Sequence, residues 1–341
     1  MNCGICIFIV TILIALAFDV INGFHDAANS IATVVSTRVL KPHIAVLWAA
    51  FFNFIAMLIF APRVADTIAR ILKIEAADPI YVWVILSGLI GAIIWDIFTW
   101  WLTLPTSSSH ALIGGLAGAG IAYEGFDILR YDLLLTTALF IVLSPLIGFV
   151  GGFVIMTLNA LLLRKQHPQK IDNFFRKGQL VSAALYSIGH GANDAQKTMG
   201  VILALLLASG VVEKGTQLSL TSLSTAWVIV ACHFCLALGT AIGGWRIVKT
   251  MGMGITSLKP VGGFSAETAG ALSLYFATAS GIPVSTTHTI TASIIGVGTV
   301  TTSFSRIKWG IATRIVWAWI LTLPAAALVG GVCFYLTQAI F

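Results

Sequence analysis

The sequence predicts an all-α integral membrane protein built from two inverted-topology repeats, with broken helices or re-entrant hairpins among about ten to twelve membrane elements. Three observations predict this fold class. The composition is apolar, two motifs occur once in each half of the chain, and loops at corresponding positions of the two halves differ in charge. The polar motifs are therefore expected to lie inside a protein that is surrounded by lipid.

The composition is that of a chain embedded in a membrane. Of its 341 residues, 58% are hydrophobic and only 9% are charged, and the mean hydropathy is +0.98. Soluble domains carry about 25% charged residues, and a helix needs about 20 mainly apolar residues to span a bilayer. We therefore expect a multi-pass protein of the cell membrane. Apolar stretches of suitable length lie at 3–20, 43–61, 80–104, 133–163, 222–245 and 309–337.

The formal net charge of +6 does not indicate a nucleic-acid-binding protein. The 19 Lys and Arg residues are scattered over the loops, and no separate basic domain exists that could bind nucleic acid. Their distribution is instead expected to report topology, because short cytoplasmic loops of membrane proteins are rich in Lys and Arg.

Two motifs occur twice, once in each half of the chain. The first is Gly-Phe-His-Asp-Ala-Ala-Asn-Ser at 23–30 and Gly-Ala-Asn-Asp-Ala-Gln-Lys-Thr at 191–198. The second is Pro-Thr-Ser-Ser-Ser-His at 105–110 and Pro-Val-Ser-Thr-Thr-His at 283–288. Because both motifs recur in the same order and at similar spacing, the chain is predicted to contain an internal repeat.

The repeat divides the chain into three parts. We predict an N-terminal membrane repeat at 1–163, a basic linker at 164–178 and a C-terminal membrane repeat at 179–341. The linker carries five Lys and Arg residues against Asp172 as its only acid. It is therefore predicted to be cytoplasmic.

The loops that follow the second motif differ in charge between the two halves. The loop from Glu124 to Asp132 is acidic, whereas the corresponding loop carries Arg306 and Lys308 and no acid. Corresponding loops are therefore expected on opposite sides of the membrane, which predicts inverted repeats and places both termini outside the cell. Inverted repeats are a common architecture of secondary transporters, which bind substrate near the membrane midplane where the repeats meet.

Both motifs predict broken helices. Gly23, Gly189 and Gly191 permit a break within the first motif. Pro105 and Pro283 suit the first turn of a helix but not its interior, so they predict a helix that restarts within the second motif. The four predicted breaks lie at 21–30, 105–109, 189–198 and 281–287.

The helix restarts of the second motif predict a site for a small oxyanion. The first backbone N–H groups of a helix have no partner within it, and the positive end of the helix dipole attracts negative charge. Three hydroxyl residues follow the proline in each copy of the motif. Two such helix starts can hold one oxyanion between them.

The first motif places a carboxylate at the same position in each repeat. A carboxylate within a membrane costs several kcal/mol unless its charge is compensated. Asp26 and Asp194 would also repel an anion bound nearby, and Lys197 supplies only one positive charge. We therefore expect hard cations such as Na⁺, or protons, to bind at these carboxylates before the anion is accepted.

These doubled motifs resemble those of the PiT inorganic phosphate transporters, over essentially the whole chain from about residue 10. The resemblance implies import of inorganic phosphate by symport with Na⁺ or H⁺, through alternating access and without a prosthetic group. By motif position it implies that phosphate is held by Ser107, Ser108, Ser109, Ser285, Thr286 and Thr287. It implies a second set of residues that holds the coupling cations, with Asp26 and Asp194 as Na⁺ ligands if sodium is the ion. This set is Asn22, Asp26, Asn29, Asn193 and Asp194.

Other functions are compatible with parts of this pattern. Another tetrahedral oxyanion such as sulfate or arsenate, or a metal-phosphate complex, would also suit hydroxyl groups and helix starts, and paired half-helices occur in channels. An intramembrane serine hydrolase is disfavoured, because adjacent Ser109 and His110 point in different directions on a helix. We therefore expect no enzymatic activity. The expected partners are phosphate, a coupling cation and the lipid bilayer, and a homodimer is one assembly that the sequence allows.

Overall fold

A computed structural model describes residues 3–73, 78, 80–254, 256–302 and 308–340, without the side chains of Cys3, Lys249 and 252–254. Arg306, one of the two basic residues used to orient the second repeat, lies outside the described residues. Within the described part, the chain forms twelve α-helices and no β-strand. They are α1 (Cys3–Ser36), α2 (Pro42–Ile55), α3 (Arg63–Ala69), α4 (Ile80–Trp101), α5 (Ser108–Glu124), α6 (Tyr131–Leu163), α7 (Pro168–Ala208), α8 (Ala226–Ile242), α9 (Trp245–Gly254), α10 (Pro260–Ala279), α11 (Thr286–Thr301) and α12 (Trp309–Ile340).

Several helices have the length and composition of membrane spans. In the described ranges, four are long and apolar enough to cross a bilayer, namely Gly4–Ser36, Ile80–Trp101, Tyr131–Leu163 and Trp309–Ile340. The α2 segment with its following turn and α3 form a fifth span if the pair, bent by 84°, is counted as one. The predicted all-α membrane class is confirmed.

The helices follow the same order twice. In each half, a long helix is followed by two shorter helices, a helix of 22 or 20 residues and a helix that begins at the second motif. The half then ends in a long helix with an internal proline, Pro145 in α6 and Pro324 in α12. The doubled motifs therefore reflect a doubled series of elements.

Glycines make matching close contacts in the two repeats. A Cβ added at Gly118 of α5 would lie 1.8 Å from the carbonyl oxygen of Ala327 in α12. A Cβ added at Gly296 of α11 would lie 2.1 Å from the carbonyl oxygen of Phe149 in α6. Small residues let helix backbones approach closely in a membrane. Each helix that begins at the second motif thus packs against the last helix of the other repeat, so the repeats are interleaved.

The breaks predicted within the first motif, at 21–30 and 189–198, are wrong. Helices α1 and α7 run unbroken through both copies. The motif glycines are needed for close packing instead, since a Cβ at Gly23 would lie 2.2 Å from the carbonyl oxygen of Leu236 in α8. One at Gly191 would lie 2.5 Å from that of Asn53 in α2.

The breaks predicted within the second motif, at 105–109 and 281–287, are confirmed. The chain is not helical just before α5 and α11, and both helices begin three residues after the proline of the motif. The polar connection between the halves is short, because α7 already begins at Pro168 and most of the segment 164–178 is helical.

Replacing Gly118 or Gly296 by alanine is expected to destabilise the protein. The new methyl group would collide with a backbone carbonyl, which cannot move away as a flexible side chain can, and overpacking of this kind costs about 1–3 kcal/mol or more. Gly310→Ala is the control, because among the described residues no atom outside its own turn of helix lies within 4 Å of its added Cβ. Thermal unfolding in detergent should show a lower midpoint for the first two variants only. Unchanged midpoints for all three would show that the close contacts are wrong.

Candidate oxyanion and cation site

The four copies of the two motifs meet in the interior of the protein, on α1, α5, α7 and α11. Each of the eleven residues expected to hold phosphate or cations is buried, with at most 3% of its surface exposed. The rings of His110 and His288, in the first turns of α5 and α11, lie 4.7 Å apart between centroids. The two helix starts of the second motif are therefore side by side.

Ser107 and Ser285 cap these two helix starts. The hydroxyl oxygen of Ser107 accepts a hydrogen bond from the backbone N–H of His110 at 3.3 Å, and that of Ser285 accepts one from His288 at 3.2 Å. Both serines have extended backbone conformations, as an N-cap requires. Each hydroxyl can still donate one hydrogen bond, so the cap does not exclude an additional contact with an anion.

Asp26 receives hydroxyl groups from both helix starts. Its Oδ2 atom lies 3.2 Å from the hydroxyl oxygen of Ser108 and 3.4 Å from that of Thr287. The Ser108 hydroxyl also lies 2.5 Å from Oδ1 of Asn22. On the other side of the carboxylate, Oδ1 lies 2.8 Å from Nδ1 of His25. Asp26 is therefore the point at which the first repeat contacts both copies of the second motif.

Asp194 has the corresponding position in the second repeat, with different neighbours. Its Oδ2 atom lies 3.1 Å from the Thr286 hydroxyl and 3.0 Å from Nε2 of His190. Its Oδ1 atom forms a close ion pair with Lys197, whose ammonium group also donates to the hydroxyl of Ser109. Both predicted carboxylates thus lie beside the hydroxyl groups of the helix starts.

Asn193 shapes the chain just before α11. Its side-chain amide donates to the Thr278 hydroxyl at 3.0 Å and lies 3.4 Å from the carbonyl oxygen of Ile282. Its side-chain oxygen accepts from the backbone N–H of Val284 at 3.3 Å. These contacts hold both sides of the non-helical segment 282–285, so Asn193 positions the helix start. Asn29 instead donates directly to the hydroxyl groups of Thr286 and Thr287.

Two histidines in contact with the carboxylates were missed as site residues by the sequence analysis. His25 lies within the first motif, and its Nε2 atom is 3.4 Å from the hydroxyl oxygens of both Thr99 and Thr106. His190 directly precedes the second copy of that motif and contacts Asn53 as well as Asp194. The spacing of four residues between His190 and Asp194 is a signal that could have identified it, since such residues share one face of a helix.

The carboxylates and one histidine form a cluster that can bind a cation. One ligand atom each from Asp26, His190 and Asp194 lie within 4.8 Å of one another, and all three residues are buried. Oxygen ligands suit hard cations such as Na⁺, and neutral imidazole adds a nitrogen ligand that suits divalent transition metals. The cluster joins α1 to α7, so a cation bound there would connect the two repeats.

Comparisons with known proteins agree with this arrangement. A family model described as the phosphate transporter family matches residues 22–170 and 162–330. A protein of Rhizobium meliloti named a probable low-affinity inorganic phosphate transporter is 52% identical over 326 residues, which cover 95% of this chain and 94% of that protein. A Bacillus subtilis protein of the same name is 42% identical, with 98% of each chain covered.

A similar fold is known from a solved structure, described as the sodium-dependent phosphate transporter. It is 23% identical to this chain, and the alignment covers 98% of this chain and 100% of the other with a TM-score of 0.89. At this level of identity the likeness concerns the fold, which confirms the overall arrangement of helices described above.

Removal of the Ser285 cap is expected to weaken the start of α11. Ser285→Ala leaves the His288 N–H without its side-chain partner, which should lower the free energy of unfolding by about 1 kcal/mol. Ser285→Thr keeps the capping oxygen and should stay close to the unmutated protein. Thermal unfolding of the two variants in the same detergent measures the difference. If alanine and threonine behave alike, the hydroxyl of Ser285 does not stabilise the helix start.

Proposed function

This chain belongs to the phosphate transporter family, and on that basis we propose that it imports inorganic phosphate by symport with a cation, Na⁺ or H⁺, through alternating access. Membership of the family makes it a phosphate transporter of the membrane and not an enzyme, which removes the serine hydrolase alternative. The observation that carries the proposed mechanism is the meeting of two helix starts whose hydroxyl groups face two buried carboxylates.

The helix starts of α5 and α11 are proposed to hold the phosphate. Four hydroxyl groups, of Ser108, Ser109, Thr286 and Thr287, lie in their first turns, and all are buried. Hydroxyl donors and free backbone N–H groups bind phosphate without a full positive charge, and the helix dipoles favour an anion at this position. Ser107 and Ser285 complete the set by capping the helices and by offering their own O–H groups.

The contacts of Asp26 suggest how cation binding is coupled to phosphate binding. A hydroxyl group has one proton to donate. While Thr287 donates to the Asp26 carboxylate and Ser108 donates to Asn22 or Asp26, neither hydroxyl can donate to a phosphate oxygen. A cation bound at the carboxylate competes for its oxygen atoms and lowers the local negative charge. The hydroxyl groups are then released toward the anion, so phosphate binds well only after the cation.

The interleaved repeats suggest how the site changes its exposure. Substrate sites of inverted-repeat transporters lie between the repeats, and rocking of one helix bundle against the other opens each side in turn. Here α5 moves with its partner α12, and α11 with α6, because glycine contacts join each pair. We propose that these two pairs move relative to α1 and α7. The sidedness stays as predicted from loop charge, with the central connection cytoplasmic and both termini outside.

The two carboxylates favour phosphate over sulfate as the substrate. At neutral pH phosphate keeps at least one proton and can donate a hydrogen bond to Asp26 or Asp194, whereas sulfate has no proton to donate. A site built around such a bond rejects an analogue that lacks it, because a buried acceptor is left unpaired. Arsenate carries the same protons as phosphate and is not rejected in this way.

A metal-phosphate complex is a second candidate substrate. The cluster of Asp26, His190 and Asp194 offers one nitrogen and two oxygen ligands beside the proposed phosphate position. A divalent cation bound there could enter together with the anion, because it would contact both the carboxylates and a phosphate oxygen.

Uptake of radiolabelled phosphate into liposomes that contain the purified protein tests the proposed function. We expect accumulation with an inward gradient of either Na⁺ or protons, and this result identifies the coupling ion. Asp26→Asn and Asp194→Asn should lose gradient-driven accumulation, because each removes one carboxylate at which the cation binds. Asp172→Asn is the matched control, since Asp172 is a half-buried acid of α7 that pairs with Arg176 away from the site.

Two results would contradict the proposal in different ways. If flux follows the phosphate gradient alone and ignores both cation gradients, the protein is a channel or a uniporter. If phosphate does not accumulate under any gradient, the substrate assignment is wrong for free phosphate. Accumulation that requires added Mg²⁺ or Mn²⁺ would support the metal-phosphate complex as substrate.

Competition by other oxyanions tests the protonation argument. Unlabelled arsenate should inhibit phosphate uptake at concentrations similar to those of unlabelled phosphate. Sulfate should need a concentration at least about 100-fold higher, because it cannot donate a hydrogen bond to the carboxylates. The measurement is the concentration of each anion that halves the initial uptake rate. Equal inhibition by sulfate and arsenate would show that the carboxylates do not select the substrate by accepting a hydrogen bond from it.

A further inference from the structure

The two copies of the first motif differ at one position where a charge is involved. Asn29 in α1 and Lys197 in α7 lie three residues after the paired carboxylates Asp26 and Asp194. Each contacts the second motif of the opposite repeat, because Asn29 donates to Thr287 at 2.9 Å and Lys197 donates to Ser109. The positions are therefore equivalent, but one is neutral and the other carries a positive charge.

The ammonium group of Lys197 is surrounded by oxygen atoms. It pairs with Oδ1 of Asp194, donates to the Ser109 hydroxyl and donates to the carbonyl oxygen of Val284 at 2.8 Å. A carboxylate, a hydroxyl and a backbone carbonyl are also the ligands that hard cations prefer in proteins. Lys197 is 1% exposed, so its charge has no access to solvent and depends on these three partners.

The equivalent position in the first repeat has no positive charge of its own. Asn29 places an amide group between the hydroxyl oxygens of Thr286 and Thr287, at 3.2 and 2.9 Å. Among the described contacts of Asp26, the other partners are His25 and the hydroxyl groups of the helix starts. A cation that compensates the Asp26 carboxylate must therefore come from solution, or from a proton.

We propose that Lys197 is a tethered cation that permanently fills the cation site of the second repeat, so that only the Asp26 side takes up a cation from solution. The inference rests on the proposed function and specifies its stoichiometry. The ammonium group occupies the Oδ1 side of Asp194, and the external cation binds between Asp26, His190 and the remaining oxygen of Asp194. The protein thus couples each phosphate to one external cation fewer than two equivalent sites would.

The same arrangement gives Lys197 a direct role toward the substrate. Ser109 is one of the proposed phosphate ligands, and the carbonyl of Val284 lies just before the start of α11. The fixed positive charge is therefore placed beside the anion position before any cation arrives. The charge of Asp194, one of the two carboxylates near the anion, is therefore compensated at all times.

Binding of radioactive Na⁺ to the purified protein in detergent tests the proposal without a need for transport. Lys197→Asn gives the second repeat the residue that the first repeat has at Asn29, and it frees the oxygen atoms of Asp194, Ser109 and Val284. We expect the variant to bind one Na⁺ more per protomer than the unmutated protein, whichever number the unmutated protein binds. Lys197→Arg keeps the positive charge and should gain none.

The outcomes separate clearly. One additional Na⁺ in Lys197→Asn but not in Lys197→Arg supports the tethered cation. An unchanged number of bound Na⁺ in a folded Lys197→Asn protein overturns it. If Lys197→Asn does not yield a monodisperse protein, Lys197→Gln is measured in its place, because it removes the charge and keeps an amide oxygen. The mirror variant Asn29→Lys should lose the external cation, and retention of that cation would also overturn the proposal.

Charge movement during phosphate uptake gives an independent readout. In liposomes, Lys197→Asn should move one positive charge more per phosphate than the unmutated protein when Na⁺ is supplied. Failure of the unmutated protein to take up phosphate would count against the proposed function alone. The difference in Na⁺ binding between Lys197→Asn and the unmutated protein would still decide the role of Lys197.

Discussion

The compensation of two buried carboxylates is the constraint on which the rest of the structure depends. Asp26 and Asp194 lie inside a protein surrounded by lipid, where an uncompensated charge costs several kcal/mol. The first repeat does not compensate Asp26 alone, because hydroxyl groups from both helix starts face this carboxylate. Asp194 pairs with Lys197 of its own repeat, and this lysine donates to Ser109 of the other repeat. The helix starts must therefore be brought together, and this requirement accounts for the interleaved packing of α5 with α12 and of α11 with α6.

The same constraint explains why glycine and proline have separate uses in the two motifs. Proline in the second motif ends the preceding segment and exposes the first N–H groups of a helix. Glycine in the first motif lets α1 and α7 approach their neighbours so closely that no side chain would fit. The carboxylates are thus carried on continuous helices and the hydroxyl groups on interrupted ones. Each carboxylate, held on a continuous helix, thus faces hydroxyl groups at the start of another helix.

The sequence predicts the all-α membrane class, the internal repeat and the clustering of Asp26 with Asp194. These features follow from composition, repeated motifs and proline positions, which are visible in the sequence itself. The sequence could not distinguish the two uses of glycine. Gly23 and Gly191 are compatible both with a break in the helix and with close packing of a neighbouring helix. That distinction depends on Leu236 and Asn53, which lie far away in the chain. Two partners of Lys197, Ser109 and Val284, are likewise distant in the chain. The sequence therefore shows its charge but not the atoms that surround it.

The exchange of helices between the repeats also has a consequence for biogenesis. Helix α5 is made early, yet the carbonyl groups against which Gly118 packs belong to α12 at the end of the chain. During synthesis the first half therefore enters the membrane before the partner helix of the Gly118 surface exists. At that stage Asp26 also lacks the hydroxyl groups that the second half supplies. The fold of the first half can be completed only after α12 has been synthesised. The two halves of this protein, although related in pattern, are unsuited to folding as independent units.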